Sequence, residues 1–297
     1  MRFATFGLTA AAMVAFAANS LLCRAALGRG LVDPASFTTL RLLSGAVALA
    51  LLVRLRGRGP SVPRDLRAAA ALFAYALGFS LAYARIPAGL GALLLFGAVQ
   101  ATMLARGLAS GERPRPAEWA GHALSVGGLL ALTVPGARGG GDMGGALLML
   151  GAGVAWGAYS LLGRSSGAAP LAASARDFAR AAPMALAVSV VVAPAALPRV
   201  TTAGLALACA SGALASGLGY AAWFAALRGL SATRAALVQL SVPPLAALGG
   251  VAVLGETVTL RLVLSAAAVL GGIALAVAGG TRPPGPSARP GGLHFGR

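Results

Sequence analysis

The sequence has no lysine and few acidic residues. All 24 basic residues are arginines, only seven residues are Asp or Glu, and charged residues make up 10% of the 297-residue chain. Water-soluble globular proteins carry about a quarter of their residues charged. The mean hydropathy of +0.83 and the 58% hydrophobic content are typical instead of a protein dissolved in lipid. The composition therefore predicts an integral membrane protein.

Several functional classes are excluded by what is scarce. The two cysteines, Cys23 and Cys209, both lie in apolar runs and are expected to be small buried side chains without redox chemistry. No metal site and no cofactor are expected. The net charge of +17 does not indicate nucleic-acid binding, because the arginines are scattered and form no basic patch with interleaved aromatic residues.

A tandem duplication organises the chain. Residues 17–24, AANSLLCR, recur as residues 157–164, GAYSLLGR, and an aromatic residue precedes each copy, Phe16 in one and Trp156 in the other. Three more pairs follow in the same order, at offsets of 140 to 144 residues: Gly78-Phe79 with Gly219-Tyr220, Gly111-Glu112 with Gly255-Glu256, and Gly127-Gly128-Leu129 with Gly271-Gly272-Ile273. The sequence therefore consists of two related units of about 140 residues.

Ten apolar runs approach the roughly 20 residues that a helix needs to cross a bilayer. They cover residues 4–24, 35–53, 67–84, 88–106, 117–135, 143–163, 175–194, 203–226, 232–253 and 259–279. The first run also has features of a signal peptide, but it recurs as the sixth run, which favours a structural helix. The predicted fold is all-α, with five-helix repeats at residues 1–136 and 142–280 and a disordered cytoplasmic tail at residues 281–297.

The distribution of arginine predicts the orientation. With the N-terminus inside, 17 arginines fall on the cytoplasmic side and 7 on the other, as the positive-inside rule requires. Both termini are then cytoplasmic, and the protein is expected in the inner (plasma) membrane. Because five is an odd number, the second repeat enters the membrane inverted relative to the first. Inverted repeats are typical of secondary carriers, whose substrate site lies near mid-bilayer between the halves.

Each predicted half places Gly-Glu before its last helix and Gly-Gly within that helix, and Pro243-Pro244 interrupt the ninth run. Two five-helix halves with Gly111-Glu112-Arg113-Pro114 and Gly255-Glu256-Thr257 resemble the drug/metabolite transporter superfamily, in particular its ten-helix EamA-domain exporters. The resemblance covers residues 1–280 and implies transport, in the direction of export, of metabolites such as amino acids or sugars. The position in the first half that corresponds to Pro243 is occupied by Val99 and not by proline. The fourth helix is therefore expected to lack the break predicted for the ninth.

The leading hypothesis is a secondary transporter of small organic solutes that works by alternating access. A receptor or scaffold without transport activity is one alternative. A polytopic membrane enzyme is another, although the sequence places no paired carboxylates, metal ligands or nucleophile and base together, so no enzyme is expected. The expected partners are a small-molecule solute and the lipid bilayer.

Polar side chains within the runs are the first candidates for a solute site. Asn19 and its repeat equivalent Tyr159 are predicted as a gate pair, with Phe16 and Trp156 one turn nearer the centre; alternatively they only bond neighbouring helices. Gln100 and Gln239 lie near mid-bilayer, where an unpaired amide is costly. Each is predicted to face a wet cavity, although Gln239 could instead satisfy backbone groups freed by prolines.

Aromatic residues recur at four-residue spacing on the third and eighth runs. They form either a packed stripe or the lining of an amphipathic pocket; the candidates for the pocket are Tyr75, Phe79, Tyr220 and Trp223. Pro243 and Pro244 are predicted as a helix break that serves gating together with Phe16. Gly153 and Gly157, at GxxxG spacing, are expected to permit close helix contact.

Three charged or titratable groups leave alternatives open. Arg41, about a turn inside the second run, either snorkels to the interface or attracts an anionic group of the solute. His122 is expected to be a surface or packed residue. All seven acidic residues are predicted in loops or at helix ends, Glu112 and Glu256 as helix caps. No carboxylate is therefore expected at mid-membrane, which favours a facilitator or exchanger over an ion-coupled carrier.

Overall fold

The computed structural model describes residues 3–57, 66–86, 88–133, 142–165, 167–192, 200–254 and 258–279. Within these residues the regular secondary structure is helical, apart from one isolated antiparallel bridge between Val32 and Val200. The helices are α1 Phe3–Leu27, α2 Pro34–Leu55, α3 Arg67–Tyr83, α4 Ala88–Ala109, α5 Pro116–Thr133, α6 Met143–Ser165, α7 Pro170–Val192, α8 Thr202–Ala210, α9 Gly219–Leu227, α10 Ala232–Gln239, α11 Val242–Leu254 and α12 Leu260–Ala278. The all-α prediction is confirmed.

Seven helical stretches of the described chain are long and apolar enough to cross a membrane. They are Phe3–Leu27, Pro34–Leu55, Gly91–Ala109, Met143–Ser165, Thr202–Leu227, Ala232–Ala252 and Leu260–Ala278. Of the other three helices, α3 has only 17 residues, and α5 and α7 are more polar. The crossing of α3, α5 and α7 therefore stays a prediction.

Local sequence signals fix where several helices begin. Asp33 caps α2, since its Oδ1 accepts from the backbone N–H of Ser36 at 2.9 Å, and Pro34 follows as the first helical residue, where its missing N–H costs nothing. Thr201, Ser231 and Thr259 cap α8, α10 and α12 in the same way.

The ninth run is broken where the prolines predicted a break. Helix α10 ends at Gln239, a turn follows at Leu240 and Ser241, and α11 begins at Val242 just before Pro243 and Pro244. In the first half, α4 runs unbroken through Val99, as its lack of proline predicted.

The eighth run is continuous but not uniform. Between α8 and α9, residues Ser211–Leu218 form a π-helical segment. A π-helix bonds each N–H to the carbonyl five residues earlier and therefore places residues five apart on nearly one face. Nothing in the sequence analysis anticipated this segment.

Helix pairing in the bundle is systematic. The most extensive contacts join α5 to α12, α3 to α6, α2 to α7 and α4 to α6, and α1 packs on α9 and α11. Small residues permit the close approaches: a side-chain carbon added at Gly153 would lie 2.5 Å from the Leu95 carbonyl oxygen, and one at Gly157 would lie 2.9 Å from Thr102. The prediction that these glycines serve helix contact is confirmed.

One predicted placement is wrong. The seventh helix begins at Pro170, five residues before the predicted start of the run, so Asp177 lies two turns inside α7 and is 1% exposed. It is neither in a loop nor at a helix end. The predicted helix cap Glu256 and the predicted tail at residues 281–297 lie outside the described residues.

Candidate functional site

Aromatic rings from four helices meet at the centre of the bundle. The ring of Trp156 on α6 lies 5.2 Å from Phe16 on α1, 4.7 Å from Tyr220 on α9 and 4.8 Å from Tyr75 on α3, measured between ring centroids. Such tilted and edge-to-face contacts are favourable beyond the burial of area. The predicted aromatic candidates therefore lie together, as a cluster that joins both halves of the sequence.

Three further candidates extend this cluster. The ring of Tyr159 lies 6.1 Å from that of Tyr220, and Phe79 lies 5.5 Å from Tyr75. Trp223 is fully buried, contacts Phe16 at 5.9 Å and donates its Nε1–H to Ser160 Oγ at 3.0 Å. Trp223 therefore contributes through Phe16 and Ser160 to the same interior.

A small cavity lies inside the cluster. Its volume is about 20 Å³, which is space for about one water molecule. The lining residues are Phe16, Asn19, Ser20, Tyr75, Phe79, Leu95, Phe96, Trp156 and Tyr220. The centre of the bundle is thus nearly closed in this conformation.

Arg41 does not snorkel to the membrane interface. Its side chain is 1% exposed and points into the bundle, where Nε donates to Ser216 Oγ at 2.8 Å and Nη2 donates to the hydroxyls of Tyr75 and Tyr220. The guanidinium also lies over the rings of Tyr75 and Phe79, 5.4 and 5.9 Å from their centroids. Of the two readings of Arg41, snorkelling is wrong.

The charge of Arg41 is solvated by neutral groups. Among the described residues its hydrogen-bond partners are hydroxyls, and its Nη1 has none. Burying an arginine near mid-bilayer costs about 2.5–3.5 kcal/mol on insertion scales, and cation–π contacts recover about 2 kcal/mol when desolvated. The structure keeps a nearly uncompensated cation against the aromatic cluster.

The π-helical segment supplies the polar partners of Asn19 and Arg41. Ser211 Oγ and Ser216 Oγ lie 2.6 and 3.4 Å from Asn19 Oδ1, and Ser216 also bonds Arg41. Five residues separate the two serines, so the π-helical geometry brings both to one face. Gly212 allows α2 to approach, because a side-chain carbon there would lie 2.1 Å from the Arg41 carbonyl oxygen.

The two predicted glutamines differ in their surroundings. Gln239 Oε1 accepts from Trp156 Nε1–H at 2.6 Å, and its Nε2 donates to the Ala235 carbonyl at 3.1 Å. It thus orients the central tryptophan and does not reach the carbonyls that Pro243 and Pro244 free. Gln100 is 8% exposed and neither amide atom has a partner among the described residues. It does not line the central cavity, so its role as a cavity residue stays a prediction.

Asp177 and its neighbours form a second buried polar group. Asp177 Oδ1 accepts from Arg176 Nε at 2.8 Å, and both side chains are at most 10% exposed. The next residue, Phe178, is fully buried and its ring lies 5.6 Å from that of Tyr220. This ion pair therefore adjoins the aromatic cluster from the side of α7.

Acidic residues close the end of the bundle that is predicted to be cytoplasmic. The Glu112 carboxylate accepts from the backbone N–H groups of Ala232 and Thr233, at 2.8 and 3.0 Å, and lies 3.4 Å from Arg164. Burial acts to raise the pKa of Glu112, but these hydrogen bonds and Arg164 outweigh it and hold the pKa below its usual value. Glu112 thus caps α10 from the other half, which confirms the predicted capping role.

The same end of the bundle holds a second ion pair, between Glu118 and Arg234. Glu118 Oε1 accepts from Arg234 Nε at 2.8 Å, with side-chain exposures of 2% and 15%. Glu118 Oε2 also accepts from the backbone N–H of Arg115 at the start of α5. His122, one turn further, is packed against Trp119 with ring centroids 6.1 Å apart. Glu112 thus ties the segment between α4 and α5 to α6 and α10, and Glu118 ties the start of α5 to α10.

The opposite end of the bundle holds a larger cavity. Its volume is about 350 Å³, which suits a small organic molecule. Residues at the ends of α1 and α3 line it, among them Cys23, Arg24, Tyr83 and Ile86. The Tyr83 ring contacts Phe79 at 4.6 Å, so a row of aromatic side chains leads from this cavity to the central cluster.

Among the residues that the structure describes, seven membrane-length helical stretches and a buried aromatic and polar centre are typical of a multi-pass membrane protein. The model of the EamA-like transporter family matches residues 143–278. An uncharacterized protein of Pseudomonas aeruginosa is 55% identical over 276 residues, which cover 92% of this chain and 94% of that protein. The chain belongs to the EamA-like transporter family, as the resemblance predicted.

A solved structure supports the fold independently. A protein crystal structure superposes with a TM-score of 0.74 over 90% of this chain and 98% of the other, at 22% sequence identity. At this identity the similarity shows the fold alone. The family implies a membrane transporter with a small-molecule solute and a lipid environment.

Proposed function

We propose that the protein is a secondary transporter that moves a small amphipathic organic solute by alternating access, with the solute site at the aromatic cluster around Trp156. Export is the proposed direction and the inner membrane the proposed location, with both termini in the cytoplasm. Ten spans arranged as two inverted five-helix repeats would form the carrier.

The helix contacts support the inverted repeat. Counting α8 and α9 as the eighth span and α10 and α11 as the ninth, exchange of the halves maps each major contact onto another. The contact of α3 with α6 corresponds to that of the eighth span with α1, and the contact of α4 with α6 corresponds to that of the ninth span with α1. The contacts of α2 with α7 and of α5 with α12 map onto themselves. Carriers with such a pseudo-two-fold bind substrate between their halves, which supports a solute site at the central cluster.

The polar bridges between the two halves are the observation that carries alternating access. Two glutamates of the first half bridge to the second at the predicted cytoplasmic end, Glu112 to Arg164 and α10 and Glu118 to Arg234. Cavities of about 350 and 360 Å³ lie at the predicted outer and cytoplasmic ends, so the ends differ in these bridges and not in cavity size. Bridges that join the halves at one end of the bundle suit a carrier that breaks and re-forms them as access changes.

Transport by purified protein in liposomes tests the proposal. We expect counterflow of a small neutral or zwitterionic organic solute from a metabolite panel, and slower transport with Trp156→Ala and with Gln100→Leu at unchanged insertion. Leu147→Ala is the matched control, because Leu147 lies on the same helix as Trp156 and is 61% exposed. Its rate should equal that of the wild type.

Two outcomes would contradict the proposal at different levels. Unchanged rates for both Trp156→Ala and Gln100→Leu would remove the site assignment while leaving the carrier. Uptake no faster than in protein-free liposomes, across the whole panel, would remove the transport function. Accessibility labelling that placed residues 139–141 and the C-terminal tail on the same face of the membrane would remove the inverted repeat.

A further inference from the structure

We propose that Arg41 binds an anionic group of the solute, and that the solute is an amphipathic molecule carrying a carboxylate. This inference rests on the transport function proposed above and adds the chemical class of the substrate to it. It depends on the position of the guanidinium, on its unused hydrogen-bonding capacity and on the aromatic surface beside it.

The guanidinium lies deep in the predicted membrane interior. Arg41 is the eighth residue of α2, so its backbone is about 10 Å from the start of the helix at 1.5 Å per residue. The side chain then bonds Ser216 and Tyr220, which lie in the second half of the span Thr202–Leu227. An arginine that only needed solvation would turn toward the nearby interface. This one turns toward the centre.

The hydrogen bonds of Arg41 hold its geometry without neutralising its charge. Nε and Nη2 donate to hydroxyl groups, and Nη1 is buried with no partner among the described residues. A guanidinium presents its N–H groups as a planar fork that matches a carboxylate. Arg41 is buried and does not line the central cavity, so an anion would reach the Nη1 donors only when the cluster separates. Charge-assisted bonds of this kind are the strong ones.

The neighbouring surface suits the rest of such a solute. Tyr75 and Phe79, over which the guanidinium lies, also line the small central cavity together with Phe16 and Trp156. A solute with an apolar body would place that body against the rings and its carboxylate at Arg41. The cavity of about 20 Å³ is too small for it, so binding requires the cluster to separate, as a change of access would.

Four probes that share one phenyl group and differ in charge test the inference. They are 3-phenylpropionate, phenylalanine, phenethylamine and 3-phenylpropanamide, measured against the full-length protein in lipid nanodiscs by tryptophan fluorescence and apparent melting temperature. We expect the two carboxylates to bind at least tenfold more tightly than the amine and the amide. Arg41→Gln should remove that preference, and Arg41→Lys should keep part of it.

The controls separate a binding role from a structural one. Arg261→Gln removes an exposed arginine of α12 and should leave all four affinities unchanged. If Arg41→Gln does not fold, Arg41→Lys still tests the carboxylate preference, because an ammonium group keeps the positive charge and lacks the planar fork of the guanidinium. Equal binding of amide and carboxylates by the wild type, or an undiminished preference in either Arg41 variant, would overturn the inference.

Failure of this inference is distinct from failure of the transport function. Counterflow of neutral solutes by the wild type, together with no preference for carboxylates, would refute the anion site and leave the carrier standing. Absence of counterflow for every solute would refute the carrier, whatever the probes bind.

Discussion

The second helix of each half buries a charge at the corresponding place, and the two charges have opposite signs. Both helices begin with proline, Pro34 in α2 and Pro170 in α7, and the eighth residue is Arg41 in the first and Asp177 in the second. Both are 1% exposed. Asp177 pairs with its neighbour Arg176, whereas Arg41 contacts hydroxyls and rings. The second half thus compensates its buried charge with a neighbouring residue, and the first half does not. The anion site proposed at Arg41 rests on this difference.

The largest effect is expected from removing the compensated charge. Asp177→Ala leaves Arg176 buried without its partner, and breaking a buried pair costs about 3–5 kcal/mol. The comparison pair is Arg85 and Asp142, which lie 3.6 Å apart with about half of each side chain exposed, and Arg85→Ala should cost under about 1 kcal/mol. Unfolding in mixed micelles as SDS is titrated measures both. Equal losses would show that Asp177 is not held by a buried ion pair.

The second prediction concerns the ninth span and its unbroken counterpart. Val99→Pro introduces into α4 the residue that stands at the break of the ninth span, and proline within a helix costs about 3 kcal/mol or more. Pro243→Ala should cost less, because the chain already turns at Leu240 and Ser241. Apparent melting temperatures of the two variants test this order. A variant Val99→Pro as stable as Pro243→Ala would mean that α4 is able to break like its counterpart.

A smaller loss is expected where α2 contacts the π-helical segment. Gly212→Ala places a carbon 2.1 Å from the Arg41 carbonyl oxygen, and overpacking of this kind costs roughly 1–3 kcal/mol. Gly97→Ala, with nothing within 4 Å of the added carbon, is the matched control and should not destabilise. Binding of 3-phenylpropionate should weaken in Gly212→Ala alone. Equal stability of the two variants would contradict the close approach.

The smallest effect is expected at the predicted cytoplasmic end. The hydrogen bonds that Glu112 accepts, together with Arg164, keep the pKa of the Glu112 carboxyl below its usual value. The stabilisation that Glu112 gives to the closed end is therefore complete above the ordinary carboxyl pKa, and it is lost as the pH falls through the lowered pKa of Glu112. Glu112→Gln should make this end more accessible to a thiol reagent at pH 7, because it lowers the free energy that favours the closed end by under about 1 kcal/mol. Labelling of a single cysteine placed at Thr5, which contacts Gly229, reports it. Labelling that is unchanged in the variant would remove Glu112 from the closure.

Residue type and spacing were sufficient to predict the all-α fold. They also singled out the prolines of the ninth run and the aromatic residues that the structure brings together, whose roles in gating and binding stay predictions. Large rings and prolines stand out in a chain of alanine, leucine and glycine, and four-residue spacing puts Tyr75 and Phe79 on one helix face. The role of Gln239 as the partner of Trp156 was not predictable, because it depends on which helices meet. The family is likewise confirmed by the match of the EamA-like transporter family model to residues 143–278.

Three features could not be predicted, each for a physical reason. The direction of the Arg41 side chain depends on Ser216 and Tyr220, which lie far along the chain. The burial of Asp177 depends on where α7 begins, and the small residues after Pro170 gave no hydropathy signal there. The π-helical segment differs from an α-helix in one hydrogen-bond register, for which a run of small residues carries no mark.

The π-helical segment has a consequence for how the eighth span tolerates change. It accommodates one extra residue between Ser211 and Leu218, and the helix on either side keeps ordinary α geometry. Deleting a single residue there would return the segment to ordinary α-helical hydrogen bonding and leave α8 and α9 close to their present orientations. Ser211 and Ser216 would then no longer lie on one face, and Asn19 and Arg41 would not both keep their serine partners. The extra residue therefore determines which side chains of the eighth span reach α1 and α2, and does so without redirecting the rest of the helix.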